Sequence, residues 1–264
     1  MRYLVFGDVH GNLAALDAVL ADAQTREIDG YFFVGDMVGY GPEPIECIDR
    51  LLALHQRGLL AWVAGNHELA VRGEVNLALY NDEAAATLRW TRRLLDGEPW
   101  AKRFVADAEL ITEVNDKIYL THDSIAEPSS GLYHRTPHNA IHELYTLAGK
   151  GGRVAFYGHT HAQRADLFDN HNVLLMPMEA HVGPGRDVAP VVMESNHSGL
   201  FGTGSVGFPK SSQRQPEYLV FDDSRWQVEK YVAQYDRAAA KERTRRILKD
   251  ACGAAIADRI AQWL

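Results

Sequence analysis

Five short segments of the sequence place metal-ligand side chains beside small residues that let the backbone turn sharply. The side chains are carboxylates, imidazoles and an amide, a mixed set that suits divalent cations. The segments are Gly7-Asp8-Val9-His10-Gly11-Asn12, Gly35-Asp36, Gly65-Asn66-His67-Glu68, Thr121-His122-Asp123 and Gly158-His159-Thr160-His161. Together they contain enough ligands for two divalent ions, and adjacent metal ions are typical of enzymes that hydrolyse phosphate esters.

The first two segments carry little information when each is taken alone. Asp8 and His10 alternate along what we expect to be an extended strand end, so both side chains should project to the same face. An Asp-x-His pair can equally be a polar surface feature. Gly35-Asp36 is weaker still, because Gly-Asp is a common turn.

The later segments are more specific. Asn66 adjoins an imidazole, and Asn is an infrequent metal ligand. His159 and His161 lie two residues apart, a spacing that suits ligation better than core packing. Five of the twelve histidines fall in these turns, which makes five unrelated coincidences improbable.

Each segment follows a short apolar run that predicts a buried strand. The first three such runs alternate with helical patterns, which indicates a parallel α/β sheet. Loops at the carboxyl ends of such strands converge, so ligands distant in sequence can form one site. The predicted strands that precede the segments are residues 2–6, 30–34, 59–64, 118–121 and 154–157.

The rest of the chain shows no internal repeat and is expected to belong to one domain, residues 1–264. A long Gly/Pro-rich loop is predicted at about 183–216, with residues 190–193 as an inserted strand. The other predicted strands are residues 110–114, 218–221 and 227–232, and the later predicted helices are residues 82–106, 137–148 with Thr136 as cap, and 236–253.

Composition narrows the class of partner and the compartment. A formal net charge of −8 and a pI near 5.8 argue against nonspecific binding of a nucleic-acid polymer, but leave a small phosphoester substrate open. The sequence contains no run of 18 apolar residues, so we expect no membrane-spanning helix. Residues 1–6 indicate a strand rather than a secretory signal. Cys47 and Cys252 fit reduced thiols, so we expect a cytoplasmic protein.

The order and spacing of the five segments resemble those of the calcineurin-like metallophosphoesterase superfamily. The similarity is stronger to bacterial single-domain members of phosphodiesterase type, whose second motif reads like Gly35-Asp36-Met37-Val38-Gly39-Tyr40-Gly41-Pro42. The segment Gly204-Ser205-Val206-Gly207-Phe208-Pro209-Lys210 also resembles a late segment of that group. The resemblance implies an α/β fold, a four-layer α-β-β-α sandwich with the metal centre at the strand ends.

The resemblance also implies a role for each matching residue. The first metal would be held by Asp8, His10 and His161, the second by Asn66, His122 and His159, and Asp36 would bridge both. Two divalent ions are expected, with Mn²⁺ preferred and Fe or Zn²⁺ possible, sharing a hydroxide that attacks phosphorus. His67 resembles the residue that protonates the leaving oxygen or stabilises its charge, rather than a ligand.

The chain departs from the serine/threonine protein phosphatase branch of this superfamily. That branch has Asp-Arg-Gly at the positions of Gly39-Tyr40-Gly41, so the residue that orients His67 is not evident. Two arginines that clamp a phosphomonoester in that branch are also absent from their usual places, which favours diesters or nucleotides over phosphoproteins. Arg72, Arg135 and Arg186 are possible substitutes.

Several alternatives stay open at this stage. A phosphomonoesterase or protein phosphatase, a hydrolase with a single metal ion, and a non-catalytic scaffold of the same fold are the rival functions. Asp123 is either an acceptor for a ligand imidazole or a solvated turn residue, and Asn12 is either a phosphate contact or a helix cap. The substrate and the oligomeric state are not evident from the sequence.

Overall fold

Two six-stranded sheets pack face to face in the computed structural model, which describes residues 1–131, 137–169, 172–176 and 189–264. The first sheet has the order β3-β2-β1-β11-β12-β9 and contains β1 (Arg2–Phe6), β2 (Gly30–Phe33), β3 (Leu60–Trp62), β9 (Val191–Val192), β11 (Glu217–Asp222) and β12 (Gln227–Val232). The second has the order β4-β5-β6-β10-β7-β8 and contains β4 (Ile111–Asn115), β5 (Ile118–Thr121), β6 (Val154–Tyr157), β7 (Gln163–Asp169), β8 (Asn172–Met176) and β10 (His197–Thr203).

Helices cover the outer faces of both sheets. In the described part of the chain they are α1 (Leu13–Ala23), α2 (Pro44–Gln56), α3 (Asn66–Arg72), α4 (Asp82–Gly97), α5 (Pro99–Asp107), α6 (Pro137–Gly149), α7 (Arg237–Cys252) and α8 (Ala254–Trp263). Proline begins α2 and α5, where its missing N–H leaves no intrahelical bond unmade.

Three apolar clusters define the layers. Side chains of both sheets, such as Phe32 and Phe156, form the core between them. Phe33 and Leu4 face the other way and pack against α1, α2, α4 and α5, while Leu200 packs with α6 beneath the second sheet. The order helices, sheet, sheet, helix confirms the predicted four-layer sandwich.

The strand and helix pattern of the first half is confirmed. β1, β2 and β3 are parallel, as are β5, β6 and β10, whereas β11 and β7 run antiparallel to their neighbours. Both sheets are therefore mixed, and the parallel order predicted for the first three strands holds for those strands. The predicted helix over residues 82–106 is divided into α4 and α5 at Pro99.

The prediction of a loop over residues 183–216 is wrong at residues 197–203, whereas residues 204–216 contain no helix or strand. β9 confirms the inserted strand, but β10 also lies in this stretch and pairs with both β6 and β7. The glycines that suggested a loop allow close packing instead, because a Cβ on Gly199 would lie 2.7 Å from the Phe201 ring. Residues 183–188 and the predicted cap Thr136 lie outside the described residues.

Candidate active site

All five segments lie just beyond the carboxyl ends of strands. The segments that follow β1, β2 and β3 meet at one edge of the first sheet. The segments that follow β5 and β6 meet at the adjoining edge of the second sheet. Backbone bonds join the turns, since the amides of Asp8 and His10 donate to the carbonyls of Gly35 and Asp36 at 2.9 Å each. The predicted residues are therefore brought together in space.

The expectation that Asp8 and His10 lie on an extended strand end is wrong. β1 ends at Phe6, and φ is 51° at Asp8 and 50° at His10, in the left-handed region. Asp36, His159 and His161 share this conformation, with φ of 58°, 60° and 55°. Each such residue costs about 1–3 kcal/mol and persists only where its surroundings hold it, which is common at functional sites.

Asp8, His10 and His161 form a first group of potential ligands. The Nε2 atoms of His10 and His161 lie 3.0 Å apart, and that of His161 lies 3.2 Å from Asp8 Oδ1. The Nδ1–H of each ring donates to a backbone carbonyl, at 3.2 Å for His10 and 2.7 Å for His161. Both Nε2 lone pairs therefore face the Asp8 carboxylate, an arrangement that suits a cation between them.

A second group collects around Asn66. Its Oδ1 lies 3.1 Å from His122 Nε2 and 3.0 Å from His159 Nδ1. The Nδ1–H of His122 donates to the Val34 carbonyl at 2.7 Å, which leaves its Nε2 directed at the group. The atoms of this group are the kind that a second borderline divalent ion would take.

Asp36 lies between the two groups. Its Oδ2 is 3.8 Å from His10 Nε2 and 3.3 Å from His122 Nε2, and its Oδ1 accepts a 2.9 Å bond from the His67 amide. Gly65 allows this approach, because a Cβ there would lie 2.1 Å from Asp36 Oδ1. One carboxylate thus faces both candidate metal positions.

His67 contacts glycine rather than a carboxylate on its Nδ1 side. A Cβ on Gly39 would lie 2.0 Å from this atom, which is buried and has no hydrogen-bond partner among the described residues. The Nε2 atom lies 4.0 Å from Asp36 Oδ2. His67 also forms a third potential ligand group with His10 and Asp36, so the distances allow either role and the catalytic assignment stays a prediction.

The protonation of these groups follows from burial and from Asp36. Burial lowers the pKa of His10 well below its usual value and that of His159 to about 4, which favours the neutral imidazole that binds metal. Burial has the same tendency at His122, but the Asp36 carboxylate outweighs it and raises the pKa to about 10. A positive charge beside Asp36 is therefore favoured.

Glu68 has a structural role that the sequence did not reveal. Its buried carboxylate accepts bonds from the amides of Gly65, Asp36 and Met37 at 2.7–2.9 Å, and from Val38 at 3.3 Å. Burial and the nearby Asp36 carboxylate raise the pKa of Glu68 to about 7, against the effect of these N–H donors. The residue joins the two turns that carry Asp36 and Asn66.

Two residues whose roles the sequence left open, Asn12 and Asp123, make hydrogen bonds that define those roles. Asn12 caps α1 by accepting from the Ala15 amide, and its Nδ2 donates to the Gly207 carbonyl, which confirms the capping interpretation. Asp123 is buried, so it is not a solvated turn residue. It accepts from the amides of Ser129 and Gly131 and shapes the loop that follows β5.

The donor set fits a pair of divalent ions. Asp8 Oδ2 is buried and has no hydrogen-bond partner within the described part of the chain, which is costly unless a cation satisfies it. The two carboxylates, one amide oxygen and four imidazoles together match a site for borderline metals. The assignment of each residue as a ligand stays a prediction, as does the identity of the metal.

A cavity of about 760 Å³ opens above these groups. We call the chemical end of it the floor, formed by His10, Asp36, Asn66, His67, His159 and His161. We call the outer part the wall, formed by Tyr40, Val75, Leu79, Tyr80, Phe208, Lys210, Arg214 and Trp263.

The wall contains two positively charged residues, Lys210 and Arg214, that were not among the arginines predicted to contact phosphate. Arg72 donates to the carbonyls of Val105 and Ala108 and is not among the lining residues, while Arg135 and Arg186 lie outside the described residues. Lys210 Nζ instead donates to the Thr160 carbonyl at 3.0 Å, between two floor histidines. The sequence signal that could have identified Lys210 is the resemblance of the segment from Gly204 to Lys210 to a late segment of the family.

A family model described as "calcineurin-like phosphoesterase" matches residues 1–163, more than half of the chain. The chain belongs to the calcineurin-like phosphoesterase family. It is 27% identical over 263 residues to the uncharacterized protein MJ0912 of Methanocaldococcus jannaschii, covering 98% of this chain and 94% of that protein.

Two solved structures share the fold over nearly all of this phosphoesterase chain. A metallophosphoesterase from Sphaerobacter thermophilus has a TM-score of 0.72 and 24% identity, with both chains fully covered. The hypothetical protein PH1004 from Pyrococcus horikoshii OT3 has a TM-score of 0.73 and 16% identity, covering 98% and 97% of the two chains. At these identities the likeness concerns the fold.

The family match includes the whole floor of the phosphoesterase cavity and only part of its wall. His161 lies two residues before the match ends, whereas Phe208, Lys210, Arg214 and Trp263 lie beyond it.

The helices in the described part of the chain were also compared with the length and hydropathy of a membrane span. None of them is long and apolar enough to cross a bilayer.

Proposed function

We propose that the protein is a metal-dependent phosphoesterase that uses a dinuclear centre, held by the residues assigned above, to hydrolyse a phosphodiester or nucleotide-type ester. The proposal rests on the position of Asp36 between the two groups of potential ligands. Its Oδ2 lies 3.8 Å from His10 Nε2 in the first group and 3.3 Å from His122 Nε2 in the second. When bound, paired ions would supply a hydroxide from a bridging water of lowered pKa and neutralise charge on the phosphoryl oxygens.

The chain's own groups would perform the remaining tasks. His67 lies on the floor beside Asp36, where its imidazole can donate a hydrogen bond or a proton to the leaving oxygen. The Asp36 side chain accepts from the His67 amide and so places this residue relative to both ligand groups. The left-handed turns hold the imidazoles in place before substrate arrives, which limits reorganisation during the reaction.

The size of the cavity and the charges on its wall favour a phosphoester substrate that is larger than a phosphate ion. A cavity of about 760 Å³ is within the usual size of small-molecule sites, about 300–1,000 Å³. The two arginines that clamp a monoester in protein phosphatases are absent from their usual places in the sequence. Lys210 instead contacts a floor turn through the Thr160 carbonyl. A lysine acts as a point charge rather than a bidentate clamp, which suits the single negative charge of a diester.

The decisive experiment compares wild type with Asp36→Asn across metals and substrates. Mono- and diesters, including cyclic and dinucleoside phosphates, are assayed with Mn²⁺, Fe²⁺ and Zn²⁺, and metal content is measured in parallel. We expect highest turnover of diesters with Mn²⁺ and a loss of at least about a hundredfold in Asp36→Asn, because both ions lose a shared ligand. Asp116→Asn, in the exposed turn after β4, is the matched control.

The same assay separates the rival functions. Absence of turnover with every metal, together with no effect of His67→Ala, would favour a scaffold. Full activity with one tightly held ion per chain would favour a single-metal hydrolase, and preference for phosphopeptides would favour a protein phosphatase. The small phosphoester partner, the manganese preference and the cytoplasmic location are part of the proposal.

A further inference from the structure

Trp263 packs against aromatic residues of the cavity and is still exposed. Its ring lies 5.7 Å from that of Tyr40 and 6.4 Å from that of Phe208, centroid to centroid, yet 38% of the residue is accessible. It also lines the cavity above the histidines. An aromatic surface held in this way is available to a ligand in the cavity.

The aromatic contacts run continuously from the floor to Trp263. The His10 ring lies 5.0 Å from that of Tyr40 and 5.7 Å from that of Phe208, and both of these rings contact Trp263. A ligand whose phosphorus lies at the floor would therefore extend along an aromatic path. The exposed Leu79, which is 79% accessible, also lines this cavity and adds apolar surface.

Trp263 is held in place by a polar clamp as well as by packing. Arg214 Nη1 donates to the backbone carbonyls of Gln262 at 2.8 Å and Trp263 at 3.2 Å, so a cation is held at the end of α8 beside the backbone of Trp263. Ile260 and Leu264, on either side in sequence, are buried in the cluster that contains Phe208. The position of the indole is thus determined by the fold.

The chemistry around the aromatic path distinguishes a heterocycle from a plain hydrocarbon ring. Asn81 lines the cavity and its Nδ2 donates to the Tyr40 hydroxyl at 3.4 Å, while Ser129 and Ser130 bring side-chain hydroxyls to the lining. A purely apolar ring would desolvate these groups without bonding to them. A nucleobase has edge donors and acceptors for them and a π-face for the indole.

We infer that Trp263 forms the base-binding surface of a subsite for a nucleoside phosphate, with the phosphate at the floor and the nucleobase along the wall. The inference deepens the proposed function by naming the substrate class, and it rests on the assignment of the floor as the phosphate end. Lys210 and Arg214 supply positive charge along the same cavity, in a protein whose formal net charge is −8. Trp263 is a specificity residue in this account.

The test compares two probes that differ only in the base. Binding of adenosine 5′-monophosphate (AMP) and of ribose 5-phosphate to the Mn²⁺-loaded protein is measured by calorimetry. We expect AMP to bind about tenfold more tightly or better, the order of effect of one base-stacking contact. Trp263→Ala should remove this preference and change the affinity for ribose 5-phosphate by less than about twofold, since phosphate contacts remain.

Two further variants control the result. Trp100 is also 38% accessible but does not line the cavity, so Trp100→Ala should retain the preference for AMP. Trp263→Phe keeps an aromatic ring and should retain part of it. Equal affinity of the wild type for both probes overturns the inference, as does an equal loss of affinity for both in Trp263→Ala with the melting temperature unchanged.

Failure of the proposed function gives a different pattern. A protein that turns over no phosphoester but still prefers AMP through Trp263 has the subsite without the reaction. A protein that hydrolyses phosphodiesters and ignores the base has the reaction without the subsite. The second outcome overturns the nucleoside inference. Aryl phosphates that bind as tightly as AMP through Trp263 would assign the wall to aromatic rings in general and overturn it as well.

Discussion

The floor and the wall of the cavity are built in opposite ways. Floor side chains such as His10 and Asp36 are almost fully buried, lie in left-handed turns and are held by backbone bonds between those turns. Wall residues such as Leu79, Arg214 and Trp263 are exposed and come from a short turn, a loop and the end of α8. The floor lies within the family match, and much of the wall lies beyond it.

This difference separates reaction from recognition. Buried, strained turns fix ligand atoms to within a small range, as metal ions and proton transfer require. Exposed side chains on loops and helix ends can be exchanged at little cost in stability, so they are suited to selecting a substrate. Changes in the floor should therefore reduce turnover of every ester, whereas changes in the wall should alter the choice among them.

Of the substitutions considered below, Gly39→Ala should reduce kcat most, because it displaces a floor residue, His67, and leaves the wall unchanged. The new Cβ would lie 2.0 Å from His67 Nδ1 and displace the imidazole. We expect kcat for every diester to fall about a hundredfold or more, the usual size of a lost proton-transfer contribution, with bound metal unchanged. Steady-state kinetics and elemental analysis measure the two quantities.

Gly73→Ala is the matched control for this change. Gly73 has φ of 89° and Gly39 has φ of 86°, so both alanines suffer similar backbone strain, but a Cβ on Gly73 has open space around it. Gly73→Ala should lower the melting temperature and leave kcat intact. If both variants lose the same activity, backbone strain explains the loss and the position of His67 does not.

Glu68→Gln should have a smaller effect that links floor geometry to stability. The new amide nitrogen would face backbone N–H groups that now donate to the carboxylate at 2.7–2.9 Å. We expect a loss of about 2 kcal/mol in unfolding free energy, roughly 4–8 °C in melting temperature, and about a tenfold fall in kcat. Thermal unfolding and kinetics measure both.

Glu74→Gln tests whether any glutamate near α3 would give this result. Glu74 follows the same helix and is exposed, so its substitution should shift the melting temperature by less than about 1 °C. A stable, fully active Glu68→Gln protein would show that the two turns hold their geometry without this carboxylate.

The floor was largely predictable because its signals are local. A short apolar strand, a glycine and a ligand-type side chain recur in five places, and the parallel order of β1 to β3 brings three of the turns together. The backbone conformation was not predictable in this way. The extended conformation expected at Asp8 is replaced by a left-handed one because the turns bond to each other across distant segments.

The wall was missed because tertiary packing creates it. Nothing near Trp263 in sequence indicates that α8 packs on Phe208, or that Arg214 would hold its end. The sequence of glycine-rich β10 predicts a loop because close strand packing and loop composition give the same local signal. The role of Glu68 was not predictable from its own segment, because its bonds to the amides of residues 36–38 depend on the turn after the neighbouring strand.

The central claim is that the floor binds two metal ions that share Asp36. A crystal grown with excess Mn²⁺ and measured at the manganese absorption edge tests this claim directly. Two anomalous peaks about 3.5–4 Å apart, one beside Asp8, His10 and His161 and the other beside Asn66, His122 and His159, are the predicted result. A single peak, or no peak within bonding distance of Asp36, would contradict the account.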